Sequence, residues 1–347
     1  MKKFLSIFCI AMACYGCCLV DEDLSGCPDE YSIEYEMRLV TNVQTEINTV
    51  LGLEADIHVA KALRNYLKDI FSDFAHDVDL SFYDYYEPRP VLVHFSDIMD
   101  ANQTSYILHL PVREYMHLAV ANIADNHLVD LEDEEACGTS RLLQSVPDEN
   151  NIIKTHNTGL FTARLPMKIL EGVDQNFLVQ LYMANCATAL VVDNAAVGTP
   201  EISGFKAFTT GFADSFNISD STYVFNKNPL VEADFVKVDE GSESCYVTVQ
   251  FPSREPNPES KVVIETTDPF IAENADEALW EWVVYVTLPD GSITESRLGL
   301  IQPLRAGQLK IIRVRIGADG IVYTDDTSVG VSATLDWNQA GTHIIPL

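Results

Sequence analysis

The sequence predicts an all-β protein of two tandem antiparallel β-sandwich domains, with one amphipathic helix inserted in the first. Three observations carry this expectation. Short alternating or continuous apolar runs, bounded by Pro, Asn, Asp or Gly, fill most of the chain. Only one stretch switches to a helical period, and no crossover helices separate consecutive strands. A polar boundary from Asn226 to Leu230 divides the runs into two sets of about seven, the strand count of a sandwich.

The chain begins MKKFLSIFCIAMACYGCC. Lys2 and Lys3 give a basic start, Phe4 to Met12 a short apolar stretch, and small residues then lead to cysteines, which is the order of a secretory signal. The apolar run is too short to span a bilayer. Gly16 before Cys17 resembles the lipobox of a bacterial lipoprotein, in which the cysteine is lipidated and becomes the mature N-terminus. Residues 1–16 are therefore expected to be a signal peptide and Cys17 the lipidated residue, with Cys14 and Cys18 as rivals. A plain cleaved signal with incidental cysteines is the alternative. Several acyl chains, at roughly 0.8 kcal/mol per buried methylene, would anchor the protein without a transmembrane helix.

The first sandwich is expected over 17–226. In YSIEYEMRLVTNV, Ile33, Tyr35, Met37 and Leu39 alternate with Ser32, Glu34, Glu36 and Arg38, the pattern of a half-buried strand. Leu53, Ile57, Ala60, Leu63, Leu67, Ile70, Phe71 and Phe74 then recur at three- and four-residue steps. They predict an amphipathic helix from Glu54 to Ala75 (insertion 54–75) that lids the edge or end of a sheet. Strand text follows in VDLSFYDY, SYILHLPV, MHLAVANI, LFTARLPM, FLVQLYM running into ATALVVD, and ISGFKAFTTGF. Val129 to Asn157, rich in Asp, Glu, Ser and Asn, reads as an acidic loop. The second sandwich is expected over 227–347, where Asp290-Gly291 and Asp319-Gly320 sit between apolar alternations and predict hairpin turns.

Charge narrows the function classes. Lys+Arg 22 against Asp+Glu 52 gives a formal net charge of −30, which disfavours nucleic acid and direct contact with anionic membrane surfaces. Of the eight cysteines, Cys9 and Cys14 would leave with the signal, and the rest lack zinc-type spacing. Cys186 reads as a buried thiol, while Cys27 and Cys137 sit in polar surroundings where they could pair in an oxidising compartment.

Candidate chemistry is sparse. G-x-S-x-G, H-E-x-x-H, a phosphate-cradling glycine loop and EF-hand spacing are all missing, and no nucleophile and base can be paired, so neither an enzyme nor a cofactor is expected. His109 and His117 flank an expected hairpin in HLPVREYMH and could face each other closely enough to bind a metal, although a strand histidine is more often a partly buried aromatic with a hydrogen-bond partner. His76, Asp77, Asp79 and Asp84 suggest a cation site, but strand alternation breaks up any preformed cage, and a solvated acidic strand is the better reading. Trp280 and Trp282 lie on one strand face, where core packing outweighs stacking on sugars.

A few residues carry a family resemblance. Cys17 or Cys18, then Glu22-Asp23-Leu24, then Cys27, followed by DLSFYD at Asp79 to Asp84, YMHLAVANI, ATALVVD and a closing Asp336-Trp337, resemble the FimB-type fimbrial anchor lipoproteins of type V pili. The resemblance implies two transthyretin-like sandwiches, a surface-exposed lipid anchor in the outer membrane, and strand exchange with a pilin subunit. The acidic run Asp21, Glu22, Asp23 is similar to signals that send such lipoproteins outward. The inserted helix is longer than a minimal sandwich needs, and the chain after Trp337 is short for a donated strand. In shaft subunits the resemblance implies cleavage after an arginine that removes the first strand. Here cleavage at Arg38 would sever the lipid, so the strand is expected to stay, with the partner met at another edge or around Val331 to Trp337. A surface glycan-binding lipoprotein using Trp280 and Trp282 is the alternative function.

Overall fold

The computed structural model describes residues 30–40, 57–71, 75, 77–86, 91–95, 105–124, 128–131, 141–144, 151–195, 201–239, 243–256, 278–324 and 329–335. These are mostly strand, with one helix, α1 (Ile57–Ile70). The first strands are β1 (Glu30–Val40), β2 (Val78–Asp84), β3 (Val91–Phe95), β4 (Ser105–Pro111) and β5 (Glu114–Ala121). Next come β6 (Val129–Leu131), β7 (Arg141–Gln144), β8 (Ile152–Lys154), β9 (Phe161–Lys168), β10 (Asn176–Met183) and β11 (Cys186–Asp193). Then follow β12 (Gly204–Thr210), β13 (Ser215–Asn217), β14 (Thr222–Val224), β15 (Leu230–Glu232), β16 (Asp234–Val236) and β17 (Glu243–Gln250). The last are β18 (Trp280–Thr287), β19 (Ile293–Leu300), β20 (Leu309–Ile316), β21 (Val322–Thr324) and β22 (Val329–Leu335). A seven-stranded sheet has the order β3-β2-β5-β9-β10-β1-β4, and a five-stranded sheet the order β16-β17-β11-β20-β21. A six-stranded sheet runs β22-β19-β18-β12-β15-β8, and a four-stranded one β14-β13-β7-β6.

Several sheets are mixed, which corrects the expectation of antiparallel pairing throughout. β1 runs parallel to β10, β11 to β20, and β15 to β8. Missing crossover helices exclude parallel pairing only between strands close in sequence. Glu34 pairs with Asn176 and Ala187 with Leu309, so long stretches of other structure serve as the crossover. Strands β11 and β12, which precede residue 226, pair with β17, β20 and β18, which follow it.

β1 alternates as its sequence requires, with Ile33, Tyr35 and Met37 buried and Ser32, Glu34 and Arg38 exposed. β9 and β10 meet at only two residue pairs, Tyr182 with Thr162 and Met183 with Phe161. The seven-stranded sheet turns over on itself there and is nearly barrel-shaped, and side chains from both halves share one core with α1. The helix contributes Val59, Leu63 and Leu67, and Phe71 follows it, each fully buried, whereas Ile57, placed on the apolar face by the sequence, is 74% exposed. Phe74 and residues 54–56 lie outside the described residues. The chain packs tightly at the helix C-terminus, where a Cβ on Gly159 would come 2.2 Å from the Ile70 carbonyl oxygen. Leu67→Ala is expected to lower stability by about 2 to 5 kcal/mol in denaturant unfolding. A loss under roughly 0.5 kcal/mol, the scale of surface changes, would mean that this face is free.

β11 is buried on both faces, as its unbroken apolar text allows. Ala187, Ala189 and Val191 face the core that holds α1, and Cys186, Leu190 and Val192 face a second core with Trp280, Trp282 and Leu298. The two Asp-Gly turns form as expected, joining β18 to β19 and β20 to β21, with Gly291 and Gly320 at φ +84° and +79°. Two local expectations are corrected. HLPVREYMH is no hairpin: β4 pairs with β1 and β5 with β2 and β9, because Val112 and Arg113 carry the chain from one half of the turned sheet to the other. The segment expected as an acidic loop contains β6, β7 and β8, whose apolar residues are too few to display a period.

Candidate partner-binding surface

The described residues do not include Cys14, Cys17, Cys18, Cys27, His76, Cys137, Asp336 or Trp337, so the lipidation and pairing expectations, and the His76 part of the suggested cation site, lie outside them. The candidate tryptophans, Cys186, Asp77, Asp79, Asp84, His109 and His117 are placed, and most are interior. Trp280 and Trp282 are 1% and 0% exposed, with Nε1 donating to Gln302 O at 2.9 Å and Thr188 Oγ1 at 3.3 Å respectively. Neither ring offers a face to a sugar. Cys186 is buried, and burial pushes its thiol up, away from the thiolate that a nucleophile needs.

The acidic strand is not solvated, which corrects that reading. β2 lies between β3 and β5 and is buried on both faces. Asp77 Oδ1 accepts the N–H groups of Ile123 and Ala124 at 2.8 and 3.0 Å, capping the turn after β5. Both Asp79 oxygens lie within 2.9 Å of His94 Nε2. Each carboxylate thus closes a structural contact. Among the described residues no group of three or more His, Cys, Asp or Glu gathers as metal ligands would.

His109 and His117 are not brought together. His109 Nδ1 meets Ser32 Oγ at 3.1 Å on the outside, while His117 lies fully inside. Its Nδ1 is 3.0 Å from the Ser81 carbonyl, which can only accept, so Nδ1 carries the proton and Nε2 accepts from Tyr35 O–H at 2.5 Å. This bond crosses the core from β5 to β1, and Phe82 stacks on the imidazole at 4.3 Å. Burial pulls His117 down to about 4. His156 is also fully buried; its Nδ1 is 2.8 Å from Asn185 Nδ2, whose amide is oriented by Leu160 N–H donating to Oδ1 at 2.6 Å. The Asn185 amide therefore donates to a neutral imidazole, and burial pulls that group down to about 3.

The outer surface of the seven-stranded sheet offers contact area. Where β9 and β10 part, a groove of about 600 Å³ is lined by Arg164 and Leu165 of β9, Leu178 and Tyr182 of β10, and the stacked pair Phe216 and Tyr223. Leu178 and Tyr182 are 47% and 54% exposed. The alternation in NFLVQLYM signals which residues face outward, but the parting of the two strands has no mark in the sequence. β22 ends its sheet, bonded to β19 on one side and, among the described residues, to no strand on the other.

No helix among the described residues is long and apolar enough to cross a membrane. No protein-family model matches the chain, and no curated protein matches it. Solved structures do. A candidate adhesin from Bacteroides ovatus superimposes with a TM-score of 0.50 at 9% identity, covering 83% of this chain and 90% of that one. The fimbrial anchor protein Mfa2 from Porphyromonas gingivalis gives 0.49 at 12% identity, covering 88% and 97%. A candidate polysaccharide-binding protein from Bacteroides thetaiotaomicron gives 0.48 at 9%, covering 86% and 96%. At such identities the first of these shows a shared fold and not a shared activity.

Proposed function

We propose that this is a non-enzymatic, lipid-anchored protein of FimB type that fixes or terminates a fimbria at the outer membrane and meets a pilin subunit by β-strand addition. The observation that carries the reading is the position of β1. It is the first described strand, and it lies inside its sheet between β10 and β4, with Glu34 to Val40 paired on one side and Glu30 to Glu36 on the other. Tension on an N-terminal lipid would load two rows of main-chain hydrogen bonds in parallel, and Tyr35 adds its bond to His117. Arg38 sits in paired backbone opposite Gln180, as a strand meant to escape cleavage requires. At the other end β22 occupies a sheet edge, whose outward N–H and C=O groups suit an added strand. Two transthyretin-like units divided near residue 226 fit this role, with β11 and β12 tying them together. The glycan-binding alternative loses its two rings to the core.

N-terminal analysis of the protein taken from assembled fimbriae tests the proposal. A blocked, lipid-bearing terminus at Cys17 is expected; a free terminus at Leu39 would make the protein a polymerising subunit instead. Cys17→Ala should release it from the membrane fraction or leave an unprocessed precursor. If labelled fatty acid still enters that variant, the lipid belongs on Cys14 or Cys18.

A further inference from the structure

The chain is strongly acidic, and α1 is not. In a protein with Asp+Glu 52 against Lys+Arg 22, this helix carries Lys61, Arg64 and Lys68 against the single acid Asp69. All three cations are exposed. Beside the helix runs β16, the end strand of the five-stranded sheet, paired on one side with β17. Tyr66 O–H donates to Asp234 Oδ2 at 2.7 Å and holds helix and strand side by side. A groove of about 520 Å³ lies between them, with Lys61 and Lys237 in its lining and Asp239 as the acid there. Ile57 of the lining is 74% exposed, and Phe235, on the face of β16 turned away from α1, is 59% exposed.

The geometry points to this groove as a docking site for an extended acidic segment of a partner protein, added as a strand along β16. Three features select that occupant. The outward edge of β16 has, among the described residues, no strand beside it, and an end strand offers main-chain groups that only an extended chain can match in series. Lys61 and Lys237 bring positive charge to the groove of an otherwise acidic molecule, so carboxylates are attracted there while a basic strand is repelled. Ile57 on the α1 side and Phe235, which packs on Tyr246 on the opposite side of β16, offer apolar contacts to the two faces of such a strand. The site lies on a different sheet from β1 and β22 and does not depend on the anchoring role.

The test uses the full chain and a labelled peptide of alternating valine and glutamate. Binding is expected, with slowed exchange of the β16 amide groups that point away from β17. Lys61→Glu combined with Lys237→Glu should weaken it about tenfold or more, since each reversal turns an attraction into a repulsion. Both residues are exposed, so the fold should tolerate the change, and Lys227→Glu, an exposed reversal outside the groove, should leave binding intact. The proposal is overturned by any of four results: no binding, equal binding by the double variant, equal binding of an alternating valine and lysine peptide, or binding without amide protection. Preference for phosphatidylglycerol vesicles over the peptide would also overturn it and make the helix a membrane-facing surface.

Discussion

Between pH 6.5 and 4.5 the protein is expected to lose stability through two imidazoles, by about 2 kcal/mol for each. His117 and His156 are fully buried and pulled from 6.5 down to about 4 and about 3. The unfolded chain takes up both protons near pH 6.5, whereas the folded chain refuses them until far lower. Their stability contribution is therefore present above 6.5 and falls away as the pH drops toward the folded values. The hydrogen bonds explain the refusal. A proton on His117 Nε2 would oppose the Tyr35 hydroxyl proton, and one on His156 Nδ1 would oppose the Asn185 amide. Lowered carboxylates touch only the foot of this window: Glu114 and Glu255 start from 4.5 and Asp290 from 3.8, so most of their loss falls below it. Against a typical total of about 5 to 15 kcal/mol, the loss should move a urea midpoint far. His156→Gln should roughly halve the slope of stability against pH, whatever its own cost at pH 7. A flat profile from 6.5 to 4.5 would mean that these rings are reached by water.

What could be read from the sequence was local. The alternation of Ile33, Tyr35 and Met37 needs only the two faces of one strand, and β1 obeys it. The same holds for the apolar face of α1 from Leu63 to Ile70 and for the turns at Gly291 and Gly320. Partners distant along the chain left no trace. Nothing near Glu34 announces Asn176, because a parallel ladder is specified by complementary surfaces rather than by a turn. The misreading of HLPVREYMH has that origin: two strands with a two-residue link look like a hairpin unless each already has better neighbours. Burial of Asp77 and Asp79 was hidden for a different reason. Their partners, the N–H groups after β5 and His94, come together only when β2 takes an inner position in its sheet.

The candidate surfaces were legible in part. The outward set Leu178, Gln180 and Tyr182 follows from alternation. The groove beside them exists because β9 and β10 share only two pairs, and strand divergence has no single-sequence signature. The basic face of α1 could be read directly, yet its significance rests on β16 lying alongside, fixed by the Tyr66 bond to Asp234. Composition alone hid it, since a net charge of −30 averages the island away.

Trp282→Ala is expected to lower stability by about 3 to 5 kcal/mol, the range for emptying a large aromatic site in a core. The ring is wholly buried in the layer between the five- and six-stranded sheets, among Leu190, Val284, Leu298 and Ile312. Its indole nitrogen donates to Thr188 Oγ1 on β11, so one side chain ties a strand after residue 226 to one before it. Thr188 keeps its bond to Lys310 O at 2.9 Å after truncation, which makes the cavity the main cost. Glu281, the preceding residue on β18, tests the contrast: its largely covered carboxylate pairs with Arg297 at 3.1 Å, but Arg297 is half exposed and keeps Glu295 at 2.7 Å, so Glu281→Ala should cost only about 1 kcal/mol. Denaturant unfolding of both variants measures the difference. A loss under about 1 kcal/mol for Trp282→Ala would mean that the ring is not packed between the sheets. That outcome would reopen the sugar-stacking role that its burial removes.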